Sequence, residues 1–257
     1  MSSILFEIKD AVAFITLNRP EKLNAFNREM ALLMQEKLDT CKSDEVRCVY
    51  ITGNGKAFCA GQDLAEVVDP NGPGMSRILS EHYNPIVTRI RELEKPVIAA
   101  VNGVAAGAGA NLAICCEITV AAESASFIQS FSKIGLVPDT GGSFFLPRLI
   151  GWQKATALMM LGGKVAAEDA EKMGMIYKWY EDVLFSAESI KLAETLSQMP
   201  TRALFLIKKE LQWSSTQTVY EQLQNEDKLQ LMAAQTEDYK EGVAAFMEKR
   251  QPVFKGK

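Results

Sequence analysis

The sequence contains a single histidine, His82, among its 257 residues. A metal site built from several histidines is therefore excluded, and no cluster of cysteines replaces it. The five cysteines form an odd set without any C-x-x-C spacing; they are Cys41, Cys48, Cys59, Cys115 and Cys116. We expect them to be small, buried hydrophobic residues of a reduced, cytoplasmic protein that holds no metal.

A strong excess of charge is also missing. The chain has 28 Lys and Arg residues against 32 Asp and Glu residues, a formal net charge of −4, and its basic residues are not clustered. Because binding to nucleic acid requires a basic surface that neutralises phosphates, nucleic acid is not an expected partner. With 47% hydrophobic residues, the chain can instead bury a large core, and its length fits one large α/β unit.

The two common glycine-rich nucleotide motifs are absent. Gly107 and Gly109 follow an apolar run, but position 112, where the dinucleotide motif G-x-G-x-x-G has its third glycine, is Leu112. No phosphate-binding G-x-x-x-x-G-K-S/T sequence occurs either. A nicotinamide, flavin or nucleoside triphosphate cofactor is therefore not expected.

Signals for secretion or membrane insertion are weak. The N-terminus lacks the basic and apolar regions of a secretory signal, so we expect the mature protein to begin here. One charge-free stretch, from Pro96 to Cys116, is long enough to span a bilayer. It consists mainly of alanine and glycine and contains Asn102 and Asn111, which favours a buried strand followed by a tight turn into a helix.

Short strand patterns are concentrated in the first half of the chain. Two β-prone runs, 4–8 and 12–17, are separated by a polar, turn-compatible pair and predict a hairpin. Further strands are expected at 47–52, 97–101, 117–121 and 126–128. Tight, glycine-containing segments follow several of these runs, as is typical of strands that alternate with helices.

Helical patterns increase toward the C-terminus. Asn27 can cap a first helix, and a second is expected over 75–93, where Pro85 must kink or divide it. A helix begins near Ser143, and from 152 to 247 helical patterns stand almost alone. We therefore predict an α/β core followed by a helical C-terminal segment.

Two short turns of small residues each follow a predicted strand. They are residues 60–63 (AGQD) and 106–109 (AGAG). Turns of this kind allow two backbone N–H groups to converge on one substrate oxygen, because larger side chains would block the approach. The alternative is that the glycines only relieve crowding where a strand meets a helix.

His82 also has two interpretations. A Ser-His-Asp or Cys-His arrangement for nucleophilic catalysis could use it, but the sequence has no G-x-S-x-G motif to supply the nucleophile. It also falls within the helix expected over 75–93. The pattern therefore favours a structural histidine.

Four segments together carry a family resemblance. They are residues 18–26 (NRPEKLNAF), 58–64 (FCAGQDL), 95–109 (KPVIAAVNGVAAGAG) and 135–142 (GLVPDTGG). Their order and spacing resemble the enoyl-CoA hydratase/isomerase (crotonase) superfamily over essentially the whole chain. The resemblance implies a crotonase-like β-β-α spiral core over 1–200 and a helical trimerisation segment over 201–257. It also implies an acyl-CoA thioester substrate, no further cofactor, and a trimer or dimer of trimers.

The resemblance also implies site residues. The backbone N–H groups of Gln62 and Ala108 would form an oxyanion hole for a thioester enolate. Residues that would bind coenzyme A or the acyl group are Lys22, Ala25, Ala60, Asp63, Leu64, Tyr83, Asn84, Phe246 and Lys249. In this scheme Tyr83 and Asn84 would contact a ring or epoxide oxygen, with structural packing as the alternative, and Phe246 and Lys249 would reach a neighbouring subunit's ligand.

The departures from the family pattern concern the catalytic groups. Members that hydrate enoyl thioesters carry two glutamates that hold water, and the corresponding positions here are Asn111 and Phe131, neither of which can act as a base. An acid instead stands at Asp139, where isomerases and aryl-CoA dehalogenases of the family have an aspartate. The alternative is that Asp139 caps the helix near Ser143.

One carboxylate fits isomerisation better than hydration. A single carboxylate can carry a proton between two carbons, whereas hydration also needs groups that position and deprotonate water. Such a base works best in an apolar pocket that raises its pKa. We expect Phe131, Ile134, Leu136 and Val137 to form its walls.

Several segments narrow the resemblance to family members that isomerise ring-epoxidised thioesters in phenylacetate catabolism. They are residues 58–64, 69–76, 83–85, 131–139 and 239–246. The implied reaction converts ring-1,2-epoxyphenylacetyl-CoA to oxepin-CoA and also shifts 3-enoyl-CoA to 2-enoyl-CoA. Two alternatives stay open: a straight-chain enoyl-CoA hydratase/isomerase of fatty-acid oxidation, and a non-catalytic acyl-CoA-binding scaffold.

Overall fold

In the computed structural model, which describes residues 2–257, the chain begins with the predicted β-hairpin. Strand β1 (Ile4–Lys9) pairs antiparallel with β2 (Val12–Leu17). Asp10 and Ala11 between them both have positive φ, as a tight two-residue hairpin turn requires. The apolar residues of β2 that alternate along the strand are buried and begin the core.

Three strand pairs follow, and in each pair the first strand joins one sheet and the second strand joins another. The pairs are β3 (Cys48–Gly53) with β4 (Ala57–Cys59), β5 (Val97–Val101) with β6 (Val104–Ala106), and β7 (Ile118–Ala122) with β8 (Ser126–Ile128). The short strands β9 (Lys164–Ala166) and β10 (Lys178–Tyr180) each add to one sheet. The larger sheet has the order β1-β2-β3-β5-β7-β10, and the smaller has the order β4-β6-β8-β9.

Helices connect and surround these strands. They are α1 (Arg28–Thr40), α2 (Leu64–Val68), α3 (Gly74–Arg77), α4 (Asn84–Glu92), α5 (Ala108–Ile114), α6 (Gly142–Ile150), α7 (Trp152–Leu161), α8 (Ala167–Lys172), α9 (Asp182–Gln198), α10 (Thr201–Ser214), α11 (Val219–Ala234) and α12 (Glu237–Glu248). Asn27 caps α1 as predicted, its side chain accepting the N–H of Met30 at 3.0 Å. The repeated β-β-α units confirm the predicted α/β class and architecture.

The helix expected over 75–93 changes type just before Pro85, where a kink or a division was predicted. Helix α3 leads through a wide π-helical turn, Ile78–Tyr83, into α4, and Pro85 lies in the first turn of α4. Proline has no N–H to donate to the preceding turn, and its ring clashes with that turn in a regular helix. The wider turn therefore fits the proline without ending the helical path.

The prediction of helices almost alone after 152 was wrong in two places. Strands β9 and β10 lie in this region and pair with β8 and β7. Each has only three residues, so neither can show the alternation that identifies a strand in a sequence. Their conformation follows from the sheet edges that they meet.

The charge-free stretch forms β5, β6 and α5, and β5 is buried at every position. It therefore belongs to the core, as predicted. Across residues 2–257, each helix is too short or too polar to traverse a bilayer. All five cysteines are buried free thiols that form no disulfide bond in the described residues. Burial raises the pKa of Cys41 and Cys59 to about 12.

A buried lysine joins the C-terminal helices to the core. Lys208 of α10 is 4% exposed, and its ammonium donates to the carbonyl oxygens of Ile90 and Leu93 at 2.7 and 2.9 Å. The same ammonium lies 3.1 Å from the Glu117 carboxylate, which also pairs with Arg91. A buried charge needs partners of this kind, and these contacts join α10 to the end of α4 and to Glu117, which directly precedes β7.

Candidate active site

The two small-residue turns lie against each other. An ideal Cβ on Gly61 would lie 3.0 Å from the carbonyl oxygen of Ala106 and 3.4 Å from the nitrogen of Ala108. A Cβ on Gly109 would overlap the carbonyl group of Cys59. Gly61 also has a φ of +94°, which favours glycine. The two glycines thus relieve crowding. Because they lack side chains, the backbones of the two turns can lie close together.

The N–H groups of Gln62 and Ala108 are free to bind a ligand. Phe26 pairs with this turn by donating to Gly61 and accepting from Asp63, which leaves the N–H of Gln62 unused. Ala108 is the first residue of α5, where the N–H has no partner within the helix. Neither group donates a hydrogen bond within residues 2–257.

Both residues line one cavity of about 560 Å³. The lining consists mainly of apolar side chains and backbone and includes one side of both turns. Its members are Lys22, Ala25, Ala60, Gly61, Gln62, Asp63, Leu64, Val67, Met75, Ile78, Gly107, Ala108, Ser130, Phe131, Lys133, Ile134, Leu136 and Asp139. A largely apolar cavity with a few convergent polar groups is typical of a small-molecule site.

Asp139 brings a carboxylate into this cavity. Burial raises the pKa of its carboxyl group, and a 2.7 Å hydrogen bond from the Thr140 hydroxyl to Oδ1 partly opposes that rise. The residue that precedes α6 is Gly141, and the Asp139 side chain does not cap the helix. The alternative of a helix cap was therefore wrong, and the carboxylate is available to the cavity.

The other carboxylate of the lining, Asp63, has a cation partner. Its Oδ2 lies 2.8 Å from Nη2 of Arg19, and its Oδ1 accepts the N–H of Ala65 at the start of α2. Burial acts to raise the pKa of Asp63, but these bonds outweigh it and lower the pKa. Asp63 is thus a structural anion, whereas Asp139 has no cation beside it among residues 2–257.

The positions of the two family glutamates are occupied differently. Phe131 lines the cavity as a wall. Asn111 is fully buried, does not line the cavity, and donates to the carbonyl oxygen of Asp139 at 2.9 Å. These two positions therefore supply no carboxylates that could hold a water molecule between them.

The structure brings together most of the predicted binding residues. Those that line the cavity are Lys22, Ala25, Ala60, Asp63 and Leu64. Tyr83 is instead buried and outside the cavity lining, with its ring 5.8 Å from that of Phe26, and its hydroxyl has no hydrogen-bond partner within residues 2–257. Asn84 is exposed and lies outside the cavity lining.

Phe246 and Lys249 lie far along the chain at the end of α12. Phe246 is 82% exposed and lines a second apolar cavity of about 370 Å³, and Lys249 ends the helix in a left-handed conformation. Neither residue lines the cavity that contains Asp139 within the same chain. A contact with that site would require a second copy of the chain.

Three of the four predicted walls are correct. Phe131, Ile134 and Leu136 line the cavity, whereas Val137 is 80% exposed and does not. Met75 and Ile78, which complete the apolar wall, were missed together with Lys133 at its edge. The helical pattern of 75–93 indicated a buried face but gave no sign of what that face contacts.

His82 behaves as a structural residue. It is fully buried, its Nε2 lies 3.2 Å from Nη1 of Arg28, and it does not line the cavity. Burial lowers the pKa of the imidazole, which favours its neutral form. No serine or cysteine forms a hydrogen bond with it in the described residues, so the nucleophilic alternative has no support.

The fold and the cavity define an enzyme of the enoyl-CoA hydratase/isomerase family, and the chain belongs to that family. The family pattern described as enoyl-CoA hydratase/isomerase matches residues 7–257. This confirms the resemblance found in the four sequence segments. The α/β spiral architecture is confirmed as well by the solved structures that share it.

Individual relatives include both isomerases and hydratases. The chain is 46% identical to 1,2-epoxyphenylacetyl-CoA isomerase of Escherichia coli, over 100% of both proteins. It is 36% identical to trans-2-decenoyl-[acyl-carrier-protein] isomerase of Streptococcus mutans, over 99% of this chain and 98% of that protein. The crystal structure of an enoyl-CoA hydratase from Bacillus anthracis matches with a TM-score of 0.94 at 31% identity, covering 99% of this chain and 100% of that one.

Proposed function

We propose that this protein is an acyl-CoA isomerase that converts ring-1,2-epoxyphenylacetyl-CoA to oxepin-CoA and shifts 3-enoyl-CoA to 2-enoyl-CoA. The observation that carries the proposal is a combination within one apolar cavity: the Asp139 carboxylate, which has no cation partner among residues 2–257, and two backbone N–H groups that are free within the same residues. The 46% identity to 1,2-epoxyphenylacetyl-CoA isomerase supports the epoxide as the principal substrate.

The proposed reaction begins at the carbon next to the thioester carbonyl. Ionised Asp139 removes a proton from this carbon, and the electron pair of the C–H bond moves toward the carbonyl to give an enolate. The N–H groups of Gln62 and Ala108 bind the enolate oxygen, where negative charge develops. Protonated Asp139 then returns the proton farther along the conjugated system. Because one carboxylate both takes and gives the proton, the reaction needs no second acid.

The same sequence of steps serves both substrates. For a 3-enoyl thioester, the proton leaves C2 and returns to C4, and the double bond moves into conjugation with the carbonyl. For the ring epoxide, the enolate electrons enter the ring, the carbon–carbon bond beneath the epoxide opens, and a ring carbon receives the proton. Each product is an isomer of its substrate with unchanged mass.

The environment of Asp139 supports the role of a base. Its pKa is raised by burial, which increases the proton affinity of the carboxylate. A base is most effective when its pKa approaches the working pH, provided that it remains ionised there. The apolar walls formed by Phe131, Ile134 and Leu136 leave space for an acyl chain or an aromatic ring.

Coenzyme A binding is proposed at the edge of the cavity. Lys22 and Lys133 both line it, and their ammonium groups suit the phosphates of the coenzyme. Backbone and side-chain surface at Ala25, Ala60 and Leu64 would contact the rest of the thioester. No cofactor other than the coenzyme A carried by the substrate is required for this chemistry.

We also propose a homotrimer or a dimer of trimers formed through segment 201–257. Helices α11 and α12 expose large apolar side chains that a second copy could cover, including Tyr220, Leu223 and Phe246. In such an assembly Phe246 and Lys249 would reach a neighbouring subunit's ligand. We place the enzyme in the cytoplasm, in keeping with its reduced cysteines, and without a nucleic-acid or membrane partner.

The first test uses a substrate that is easy to prepare. Purified protein is incubated with a 3-enoyl-CoA, with Asp139→Asn in parallel, and the product is analysed by mass spectrometry and ultraviolet absorbance. We expect an unchanged mass and a conjugated 2-enoyl product with the wild type, and loss of turnover but retained thioester binding in the variant. The same assay with the ring epoxide, expected to react faster, then tests the principal substrate.

The other outcomes point to the two alternatives. A product heavier by one water would make a straight-chain hydratase the better assignment. Equal thioester binding without turnover in both proteins would indicate a non-catalytic scaffold. Wild-type rates in a clean preparation of Asp139→Asn would remove Asp139 as the base.

A further inference from the structure

Asn111 connects helix α5 to the main chain at Asp139. Its Nδ2 donates to the carbonyl oxygen of Asp139 at 2.9 Å, and the same oxygen accepts the N–H of Gly142, also at 2.9 Å. The carbonyl of Asp139 is thus held by two donors from different segments. Because Asn111 is fully buried, water does not compete for its hydrogen bond.

Gln129 fixes the amide of Asn111 from the other side. Its Nε2 donates to Oδ1 of Asn111 at 2.8 Å, and Gln129 is itself 5% exposed. Gln129 directly follows β8, so a rigid strand end supports the contact. The two amides therefore form a chain of hydrogen bonds that runs from β8 through α5 to Asp139.

The start of α6 leaves room for this chain. A Cβ built on Gly142 would overlap the amide group of Asn111. Residue 142 must therefore lack a side chain for Asn111 to reach Asp139. The contact is a specific fit between α5 and α6 and does not extend to the substrate cavity, because neither Asn111 nor Gln129 lines it.

The segment that carries Asp139 has little other support. Residues 132–137 before it are exposed. The hydrogen bonds of its carboxylate within residues 2–257 come from the adjacent Thr140 and from its own main-chain N–H, and neither joins it to another element. The position of the carboxylate in the cavity thus depends on how the main chain of residue 139 is held.

We infer that Asn111 is a positioning residue for Asp139, kept in its orientation by Gln129. Asn111 holds the main chain at residue 139 so that the carboxylate faces the thioester, and it touches neither substrate nor reacting atoms. The inference rests on the proposed role of Asp139 as the base. It gives the position of a family glutamate a different purpose in this chain.

The test compares Asn111→Ala with a matched control in β7 that loses a hydrogen bond to the same helix. Thr119→Val removes another buried hydrogen bond, the 2.8 Å contact from Thr119 to the carbonyl of Ala113 on α5. Both variants are assayed with a 3-enoyl-CoA. We expect kcat of Asn111→Ala to fall about 10- to 100-fold, as for a base displaced by about 1 Å, with little change in KM. The control should keep its kcat.

A pH profile separates positioning from loss of stability. Release of residue 139 exposes its carboxyl group to more water, which lowers the pKa of that group. The acid limb of the kcat profile, which is the pH range in which kcat rises as the base ionises, should therefore move to lower pH in Asn111→Ala. Thr119→Val should leave the limb in place. Gln129→Ala retains Asn111 and is expected to change kcat and the position of the acid limb in the same direction but to a smaller extent. This variant replaces Asn111→Ala in the test if Asn111→Ala fails to fold.

A double variant decides whether Asn111 acts through Asp139. In an Asp139→Asn background, Asn111→Ala should not reduce the residual rate further. Full kcat and an unmoved acid limb in both Asn111→Ala and Gln129→Ala would overturn the inference while the wild type and Asp139→Asn still support the proposed function. A wild type that fails to isomerise any thioester would instead count against the proposed function itself.

Discussion

The Thr140 hydroxyl donates a 2.7 Å hydrogen bond to Oδ1 of Asp139. Thr140 is 2% exposed and has a φ of +53°, a backbone conformation that is unusual for a β-branched residue. This backbone conformation places the Thr140 hydroxyl beside the Asp139 carboxylate. The hydroxyl then occupies one of the two carboxylate oxygens.

Replacement of Thr140 by valine should raise the pH at which isomerisation starts. The hydrogen bond from Thr140 favours the ionised carboxylate and lowers its pKa, so its loss lets burial raise the pKa of Asp139 further. The acid limb of the kcat profile should move to higher pH in Thr140→Val. Thr140→Ser keeps the hydroxyl and should keep the wild-type limb; a shift of equal size in both variants would contradict the explanation.

Asp139→Asn should stabilise the fold at neutral pH while it removes all but a small residual rate of turnover. The pKa of Asp139 is raised in the folded state, so its ionisation above that pKa costs the folded protein stability. We expect the free energy of unfolding at pH 7 to rise by about 1 kcal/mol in the variant. The gain should shrink as the pH falls and disappear near about pH 3, where the carboxyl is largely protonated in both states.

Urea unfolding at the two pH values measures this difference. Asp63→Asn is the useful comparison, because the pKa of Asp63 is lowered in the folded state by Arg19 and the Ala65 amide despite burial. Its ionised form stabilises the fold above the unfolded pKa, and that stabilisation is lost as pH falls. Opposite signs for the two aspartates at pH 7 are therefore expected, and a loss of stability in Asp139→Asn would refute the assignment of a destabilising carboxylate.

Ala108→Pro should remove one donor of the oxyanion hole without removing the helix. Proline has no N–H, and it is well tolerated at the first position of a helix, which Ala108 occupies. Loss of one such donor typically lowers kcat by about 10²–10³-fold. We expect this loss together with an unfolding midpoint close to that of the wild type. Wild-type kcat in a folded variant would show that the Ala108 N–H does not bind the enolate.

The ion pair between Arg19 and Asp63 should matter for both stability and binding. Arg19 also donates to the carbonyl oxygen of Ala25, so it joins two parts of the cavity lining. Asp63→Ala removes this pair and the cap of α2, and we expect it to cost about 1–2 kcal/mol of stability and to raise KM. Asp63→Asn retains a capping side chain and should lose less; calorimetry and thioester kinetics on both variants provide the comparison.

The sequence was most informative where local rules act alone. The cap at Asn27, an irregularity of the helix near Pro85 and the hairpin around Asp10 depend on neighbouring residues, and all were predicted. The two turns were also located, because glycine at these positions serves a close backbone approach. Five of the residues assigned to the ligand by resemblance indeed line the cavity.

Contacts between distant segments could not be derived in the same way. Strands β9 and β10 exist because sheet edges accept them, and Met75 and Ile78 line the cavity because a helical segment folds over the turns. Val137 was predicted to be a wall residue because it is apolar and lies next to other apolar residues, but its side chain is 80% exposed. The contact of Asn111 with Asp139 likewise joins residues 28 positions apart, and no local pattern announces it.

The close packing of Gly61 and Gly109 against neighbouring backbone gives the two sides of the cavity different tolerance to substitution. On the side of the turns, a Cβ added to either glycine meets backbone atoms directly, so these two positions admit almost no substitution. On the other side, Met75, Ile134 and Leu136 are surface-accessible side chains that can change size without moving the main chain. New acyl groups can therefore be accommodated by altering one wall, while the two backbone N–H groups proposed to bind the thioester oxygen keep their positions.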